Sequence, residues 1–301
     1  MASQGKPKVY FTKEITPEKL IDMYKKLGIK LEGNIGIKVH SGEKGNKNFL
    51  RPEFMKPMVD YLDGTIIETT SSFPSKFSVR TSYESHKKLL EEHGWTKTFK
   101  KVDILDSEQP DDELNIPNGF ILKKNYIGSK TKNYDSILVI AHFKGHVMGG
   151  YGGALKQLSI GFGSRLGKTL QHSAGKCRDG DDIMNYICSD KEFKESMADA
   201  AWSVVNMFKG KIAFINVMKN ISIDCDCDGN AIPPCMKDIG ILASTDPVAI
   251  DKACLDLIYN SDDPGKKELI ERIEKKLGPH IIECSVKLGT GSSDYELINV
   301  D

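Results

Sequence analysis

The run Ser136-Ile-Leu-Val-Ile-Ala-His142 passes at once into Phe143-Lys-Gly-His146-Val-Met-Gly-Gly-Tyr-Gly-Gly-Ala-Leu-Lys156, and this join decides how the whole chain is read. The first part is an unbroken apolar stretch of strand length, rich in β-branched residues, so it reads as a fully buried strand. The second part is glycine-rich chain carrying two more potential ligands, His146 and Lys156. A buried strand that ends in a polar, glycine-rich segment is the pattern of an α/β protein whose ligand site lies beyond its strand ends.

On either side of this join, strand and helix signals alternate. Strands are expected at Val9–Thr12, Ile35–His40, Thr65–Thr70, Lys211–Val217 and Ile239–Ser244. Thr16 is placed to cap a helix that Pro17 opens and that runs to about Leu27. Further helices are expected from Pro52 to about Leu62, from Tyr83 to His93, over residues 191–208, and from Asp246-Pro247 to about Tyr259. Such alternation predicts an α/β fold with a largely parallel or mixed sheet, helices on both faces, and two lobes around a cleft. The lobes would be residues 1–135 and 136–301, unless the chain forms one compact domain. The acidic, proline-containing stretch Asp106–Asn118 is the expected flexible connection.

Bulk composition narrows the partners. The 301 residues hold 42 Lys+Arg and 42 Asp+Glu, giving zero formal charge, and no basic stripe that would neutralise nucleic-acid phosphates. No apolar run approaches the roughly 20 residues that cross a bilayer, and the start MASQGKPKVYF has no secretory apolar stretch. A soluble, cytoplasmic protein is expected, with a small anionic molecule as ligand and a second copy or a redox protein as partner. The seven cysteines are odd in number and scattered, which is no disulfide framework. Cys254 and Cys284 read as small core residues.

Three clusters could carry chemistry. The first runs from His142 through His146 and Lys156 to Lys168 and His172, with glycines that let backbone N–H groups approach a ligand. It is not the HExxH zinc signature, because Phe143 stands where the Glu belongs. Gly161–Thr169 (GFGSRLGKT) misses the spacing of a phosphate-binding P-loop, and no G-x-G-x-x-G follows a strand. The alternative reading is a surface loop with helix-capping histidines. The second cluster is Asp224-Cys-Asp-Cys-Asp-Gly-Asn-Ala-Ile-Pro-Pro-Cys235. Cys225 and Cys227 at i and i+2 in extended chain face one side and can reach one metal ion, and soft thiolates favour zinc, iron or an iron–sulfur cluster. A calcium loop is excluded by Cys235 at the twelfth position, where a glutamate is needed. The bland alternative is a polar turn with ordinary thiols. The third cluster is His40-Ser-Gly-Glu-Lys-Gly-Asn46-Lys-Asn-Phe-Leu-Arg51-Pro52, in which Arg51 precedes a helix start and is placed to clamp a carboxylate or phosphate, with His40 and Asn46 beside it. Equally, this is a strand-to-helix loop capped by Asn48.

Across these motifs the chain resembles an uncharacterised bacterial and archaeal family labelled iron–sulfur-centre or ferredoxin-fused proteins. The resemblance runs through KVHSGEKGNKNFLRPEF (38–54), His86, HFKGHVMGGYGGALKQLSIG (142–161), His172, DCDCDGNAIPPCMKDIGILASTDPVAIDKACLDL (224–257) and the terminal LGTGSSDYEL. It implies an α/β fold and a metal. Many relatives carry a ferredoxin insert after the second histidine, whereas residues 173–219 here hold only Cys177 and Cys188. A fainter likeness is to the nickel-pincer lactate racemase superfamily, in which a His, a glycine-flanked Lys and a second His serve as base, cofactor attachment and nickel ligand. His146, Lys156 and His172 match that order, and Asn48-Phe-Leu-Arg51-Pro52 is similar to its D-x-x-R-P. That superfamily's other catalytic histidine has no counterpart near Glu68-Thr-Thr-Ser-Ser.

The combined expectation is a metal- or metallocofactor-dependent enzyme acting on a small anionic substrate by isomerase- or redox-type chemistry. Arg51, His40 and Asn46 would bind the substrate, and His146, Lys156 and His172 would be catalytic. Cys225, Cys227, His142 and His172 would hold iron, nickel, zinc or a cluster. The rival is a non-catalytic iron–sulfur or metal carrier for electron transfer.

Overall fold

The computed structural model describes residues 5–301. In chain order the first elements are β1 (Lys8–Thr12), α1 (Pro17–Lys26), β2 (Ile35–Lys38), α2 (Pro52–Leu62), β3 (Thr65–Glu68), α3 (Tyr83–Glu92), α4 (Trp95–Thr98) and β4 (Val102–Ile104). A small hairpin of β5 (Asp112–Asn115) and β6 (Lys124–Ile127) precedes the central strand β7 (Ser136–His142). Then come the short pair β8 (Lys144–His146) and β9 (Gly150–Gly152), and helices α5 (Ala154–Ser159), α6 (Arg165–His172) and α7 (Asp190–Met207). The chain closes with β10 (Ile212–Met218), β11 (Gly240–Ser244), α8 (Pro247–Tyr259), α9 (Lys266–Lys275), α10 (His280–Lys287) and β12 (Glu296–Asn299).

Eight strands form one sheet in the order β12-β1-β11-β10-β7-β2-β3-β4. From β10 to β4 all neighbours are parallel. Strand β11 runs against both β10 and β1, which makes the sheet mixed. The fold class is therefore the expected one, a mostly parallel α/β sheet with helices on both faces. Alternate residues of β7 and β10 feed two cores. Ile137, Val139, Ile212 and Phe214 pack beneath α5, α7 and α8, while Leu138, Ile140, Ala213 and Ile215 pack beneath α1 and α2. A strand buried on both faces needs an unbroken apolar run, which is what residues 137–141 supply. The join at 135/136 falls just before β7, whose neighbours β2 and β10 come from either side of it, so the sheet is continuous across that join.

Several element starts follow from local chemistry. The Thr16 hydroxyl accepts from the Lys19 amide, with Pro17 as the first helical residue. The Asp246 carboxylate caps α8 through the amides of Val248 and Ala249. Strands β2 and β3 are shorter than expected, because the chain leaves the sheet after Lys38 and Glu68 and brings His40 and Thr69 to the cavity. The stretch Asp106–Asn118, expected as a flexible connection, instead contains β5, which pairs with β6 along four residues. Among the described residues no helix is long and apolar enough to cross a membrane.

One capping interaction sets the position of the glycine-rich segment. The carboxylate of Asp251, from α8, accepts from the amides of Ala154 (2.7 Å) and Leu155 (3.0 Å) at the start of α5, and from the Asn216 amide on β10 (2.7 Å). Sequence reasoning directed these N–H groups at a ligand; they face a buried protein carboxylate. Replacing Asp251 with Ala leaves three buried donors without an acceptor. The expected loss is about 2–4 kcal/mol of unfolding free energy, read as a lower urea midpoint with an unchanged denaturant slope.

Candidate active site

Strands β2, β3, β7 and β10 all end on one side of the sheet, and their continuations enclose a cavity of about 330 Å³. Lys38 and His40 come from the end of β2, Thr69 follows β3, Lys144 and His146 follow β7, and Cys227 follows β10. Helices α5 and α6 add Lys156, Lys168 and His172. The position agrees with the rule that open parallel sheets bind ligands beyond their carboxyl ends.

Two close backbone approaches assemble the cysteine segment against this wall. Gly145 donates to the Ser222 carbonyl at 2.8 Å, and a Cβ at Gly145 would lie 2.2 Å from the Ile223 carbonyl, so only glycine lets β8 lie against this stretch. Gly229 and Gly45 meet in the same way, a Cβ on Gly229 standing 2.2 Å from the Lys44 carbonyl. Asn46, expected to bind substrate, instead stitches the two loops. Its amide donates to the carbonyls of Asp228 (2.8 Å) and Cys225 (3.3 Å), and its oxygen accepts from the amides of Asn48 and Phe49.

As a result Cys225, Cys227 and His146 each present a ligand atom within 4.8 Å of the others, a Cys/His cluster able to bind a metal. The Lys156 ammonium stands 3.6 Å from the Cys225 sulfur, and His146 Nε2 stands 3.7 Å from the Cys227 sulfur. Burial resists a thiolate at Cys225. The hydrogen bond from Cys227 and the charges of Lys156 and Lys144 outweigh it and hold the Cys225 pKa well below the usual thiol value. The proton of the pair therefore stays on Cys227.

The ring of His146 is fixed by its own turn. Its Nδ1 accepts from the amides of Gly149 (2.7 Å) and Met148 (3.1 Å), so the neutral ring carries its proton on Nε2. His172 has the opposite tautomer. Its Nδ1 donates to the Lys168 carbonyl at 2.7 Å, leaving the lone pair on Nε2, while the ring is stacked on Phe193. Burial, with Lys156 adding to it, lowers the His146 pKa to about 4. Burial lowers that of His172 to about 3. His86 is also buried; its Nε2 bonds the Ser41 hydroxyl, and burial holds it at about 3.

Five basic side chains surround the cavity. Lys38 pairs with Glu68 at 2.8 Å, Arg80 with Glu43 at 3.2 Å, and Lys144 with Asp226 at 2.9 Å. Lys156 faces the Cys225 thiolate. Lys168 has no anionic partner among the described residues. Its Nζ donates to the Thr69 hydroxyl (2.5 Å) and the Gly163 carbonyl (2.6 Å). Arg80 uses only Nε for its pair, and its two Nη atoms have no hydrogen-bond partner among the described residues.

Thus His40, His146, Lys156, His172 and Cys227 share one cavity wall, with Cys225 directly behind Lys156. Two expected residues do not join them. Arg51 is exposed, its guanidinium lying 4.0 Å above the Phe49 ring and bonded to the Lys47 carbonyl, so it faces solvent and not the cavity. His142 directs both ring nitrogens at oxygen acceptors, Asp226 (2.8 Å) and the Lys219 carbonyl (2.5 Å), and so offers no lone pair to a metal. Sequence reasoning missed Arg80, Lys38 and Glu68. Arg80 lies in Ser78-Val-Arg-Thr-Ser82, which carries no periodic or motif signal. The only hint for Lys38 and Glu68 was a charge inside or ending a buried strand.

A family model described as Domain of unknown function (DUF362) matches residues 35–256. No curated protein matches. Among solved structures, the chain is similar to the lactate racemase apoprotein from Thermoanaerobacterium thermosaccharolyticum at 13% identity and a TM-score of 0.42, covering 71% of this chain and 50% of that one. It is also similar to a protein from Thermotoga maritima at 13% identity and a TM-score of 0.47, covering 94% of this chain and 60% of that one. It therefore spans about half to three fifths of the length of these two proteins.

The depressed histidines set a pH dependence. His86, His146 and His172 have folded pKa values below the ordinary 6.5, so the unfolded chain binds more protons below that value. Stability is then fully present above about pH 7 and falls as pH drops, each histidine adding up to about 1.4 kcal/mol per pH unit. Urea midpoints should decline between about pH 7 and pH 5, and His86→Gln should flatten that decline. A midpoint that is level or rises on acidification would contradict the buried, neutral imidazoles.

Proposed function

The chain belongs to the family described as Domain of unknown function (DUF362), and we propose that it is an enzyme that moves a proton on a small anionic substrate held in this cavity. The observation that carries this reading is the charge balance of the cavity wall. Among the described residues Lys38, Arg80, Lys144 and Lys156 each face an anion of the protein, Lys168 faces none, and Arg80 leaves both Nη groups without a hydrogen-bond partner. Buried donors without a partner are costly, and a carboxylate or similar anion entering the cavity supplies one for the Arg80 Nη groups. Arg80, with its planar fork, would receive the anion in two-point fashion.

The two imidazoles then divide the proton transfer. His172 Nε2 offers a lone pair and would accept a proton, while His146 Nε2–H would donate one. Opposite tautomers lining one cavity suit an isomerase-type exchange, in which one imidazole takes a proton from a carbon and the other supplies one. A metal ion, where one is bound, would be held by the sulfurs of Cys225 and Cys227 and would polarise a substrate oxygen as a Lewis acid. The sulfurs fit such an ion. His146 fits it only by giving up both amide bonds at Nδ1.

Calorimetric titration with oxalate and with pyruvate tests the anion site. Both should bind to the wild type. Arg80→Lys, which keeps a charge for Glu43 but lacks the fork, should bind roughly tenfold more weakly, while Arg51→Met should bind as the wild type does. Equal affinities in all three proteins, or no binding at all, would remove the reading.

A second reading, a metal- or cluster-carrying module, is favoured by one observation, the 4.8 Å cluster of His146, Cys225 and Cys227. Metal and sulfide analysis of anaerobically purified protein separates the two. Cys225→Ser and Cys227→Ser should each lose bound metal, while Cys254→Ser, whose sulfur is buried against Asn216, should keep it. Iron and acid-labile sulfide in matched amounts would favour the carrier.

A further inference from the structure

We propose that Lys168 is a covalent carbonyl-binding residue, forming a Schiff base with a small 2-oxo acid whose carboxylate is held by Arg80. The proposal rests on the anion-binding reading of the cavity and names its substrate class.

The Lys168 nitrogen is held by two hydrogen bonds and open to the cavity on its remaining side. Two acceptors, the Thr69 hydroxyl at 2.5 Å and the Gly163 carbonyl at 2.6 Å, account for two N–H groups. The Thr69 hydroxyl spends its own proton on the Gly161 carbonyl at 2.9 Å, so it accepts from the lysine and does not donate to it. The remaining tetrahedral position is unclaimed by any hydrogen-bond partner among the described residues, and the side chain lines the cavity. That position opens on the cavity, where a substrate carbonyl carbon can reach the nitrogen. No carboxylate lies within ion-pair distance to hold the proton, in contrast to Lys38 and Lys144. Lys156 is the other cavity lysine without a carboxylate, but its nitrogen is turned to the Cys225 sulfur at 3.6 Å. Burial, together with the charges of Lys38 and Arg80 and against that of Asp106, brings the Lys168 pKa down to about 7. At neutral pH roughly a thousandfold more of Lys168 than of an ordinary lysine is then the nucleophilic amine.

The step balances without any co-reactant. The amine lone pair attacks the carbonyl carbon and a C–N bond forms. The carbonyl oxygen leaves as water with the two amine protons, giving the imine. An imine withdraws electrons from the neighbouring carbon, which lowers the barrier to the proton transfer assigned to His172 and His146. The cavity, at about 330 Å³, has room for a molecule of this size.

Pyruvate with cyanoborohydride, followed by intact mass and peptide mapping, tests this on the wild-type protein. The expected result is one reduced adduct on the peptide containing Lys168, at least roughly tenfold enriched over any other lysine. Oxalate, which has no ketone, should protect that site. Lys156→Arg should retain the adduct and Lys168→Arg should lose it. An adduct on Lys156, or a uniform scatter over surface lysines, would overturn the assignment. Protein that binds oxalate by calorimetry yet gives no adduct at Lys168 would keep the anion site and remove the covalent step. Protein that neither binds oxalate nor forms an adduct would remove both.

Discussion

The carboxylate of Asp226, with no exposure to solvent, ties together the pieces of chain that the site depends on. It accepts from His142 at the end of β7 and pairs with Lys144 at the start of β8, while its own backbone carbonyl accepts from the Glu43 amide at 2.7 Å. Burial opposes its charge, but His142 and Lys144 hold its pKa far below the usual carboxylate range. Removing one partner of a fully buried pair typically costs about 3–5 kcal/mol. Asp226 sits between Cys225 and Cys227, so the carboxylate that docks the loop also fixes the two sulfurs on either side of it.

From that anchor the electrostatics follow in a graded series. Lys38, Arg80 and Lys144 each have a carboxylate within 3.2 Å and are structural cations as much as ligand-facing ones. Lys156 is balanced by a thiolate, a softer and more reactive partner. Lys168 has hydroxyl and carbonyl oxygens only. The histidines placed among these cations are held neutral, which keeps further positive charge out of the cavity and leaves their nitrogens free for hydrogen bonding. The cavity thus combines buried basic side chains with neutral imidazoles.

The fold was legible because its signals are local. Residues 137–141 are apolar without interruption, Thr16-Pro17 and Asp246-Pro247 state their helix starts, and α2 runs from Pro52 to Leu62 as its pattern implies. What escaped was structure made by long-range contact. The hairpin of β8 and β9 has glycines where a strand pattern needs side chains, and it forms because Gly145 can lie against Ser222 and Ile223. The site was legible in part for the same reason. His146, Lys156, His172 and Cys227 carry reactive groups in glycine- or cysteine-marked segments, and they line one cavity. Arg51 was misplaced because a helix start says where N–H groups are free, not which way an arginine beside them turns. Stacking on Phe49 turned this one outward.

The tautomer of His146 decides how the two halves of the site can be used together. With Nδ1 saturated by two amides, Nε2 carries a proton and meets the Cys227 sulfur as a donor, which stabilises negative charge on the thiol pair. A metal ligand needs a bare lone pair at that same atom, and neutral imidazole has only one, which is already engaged at Nδ1. The acid role and the ligand role are therefore alternatives at one nitrogen. The two short amide bonds favour the acid. On that reasoning a metal bound between Cys225 and Cys227 and a proton carried by His146 are separate devices on one wall, and the imidazole can serve the substrate whether or not the sulfurs hold an ion.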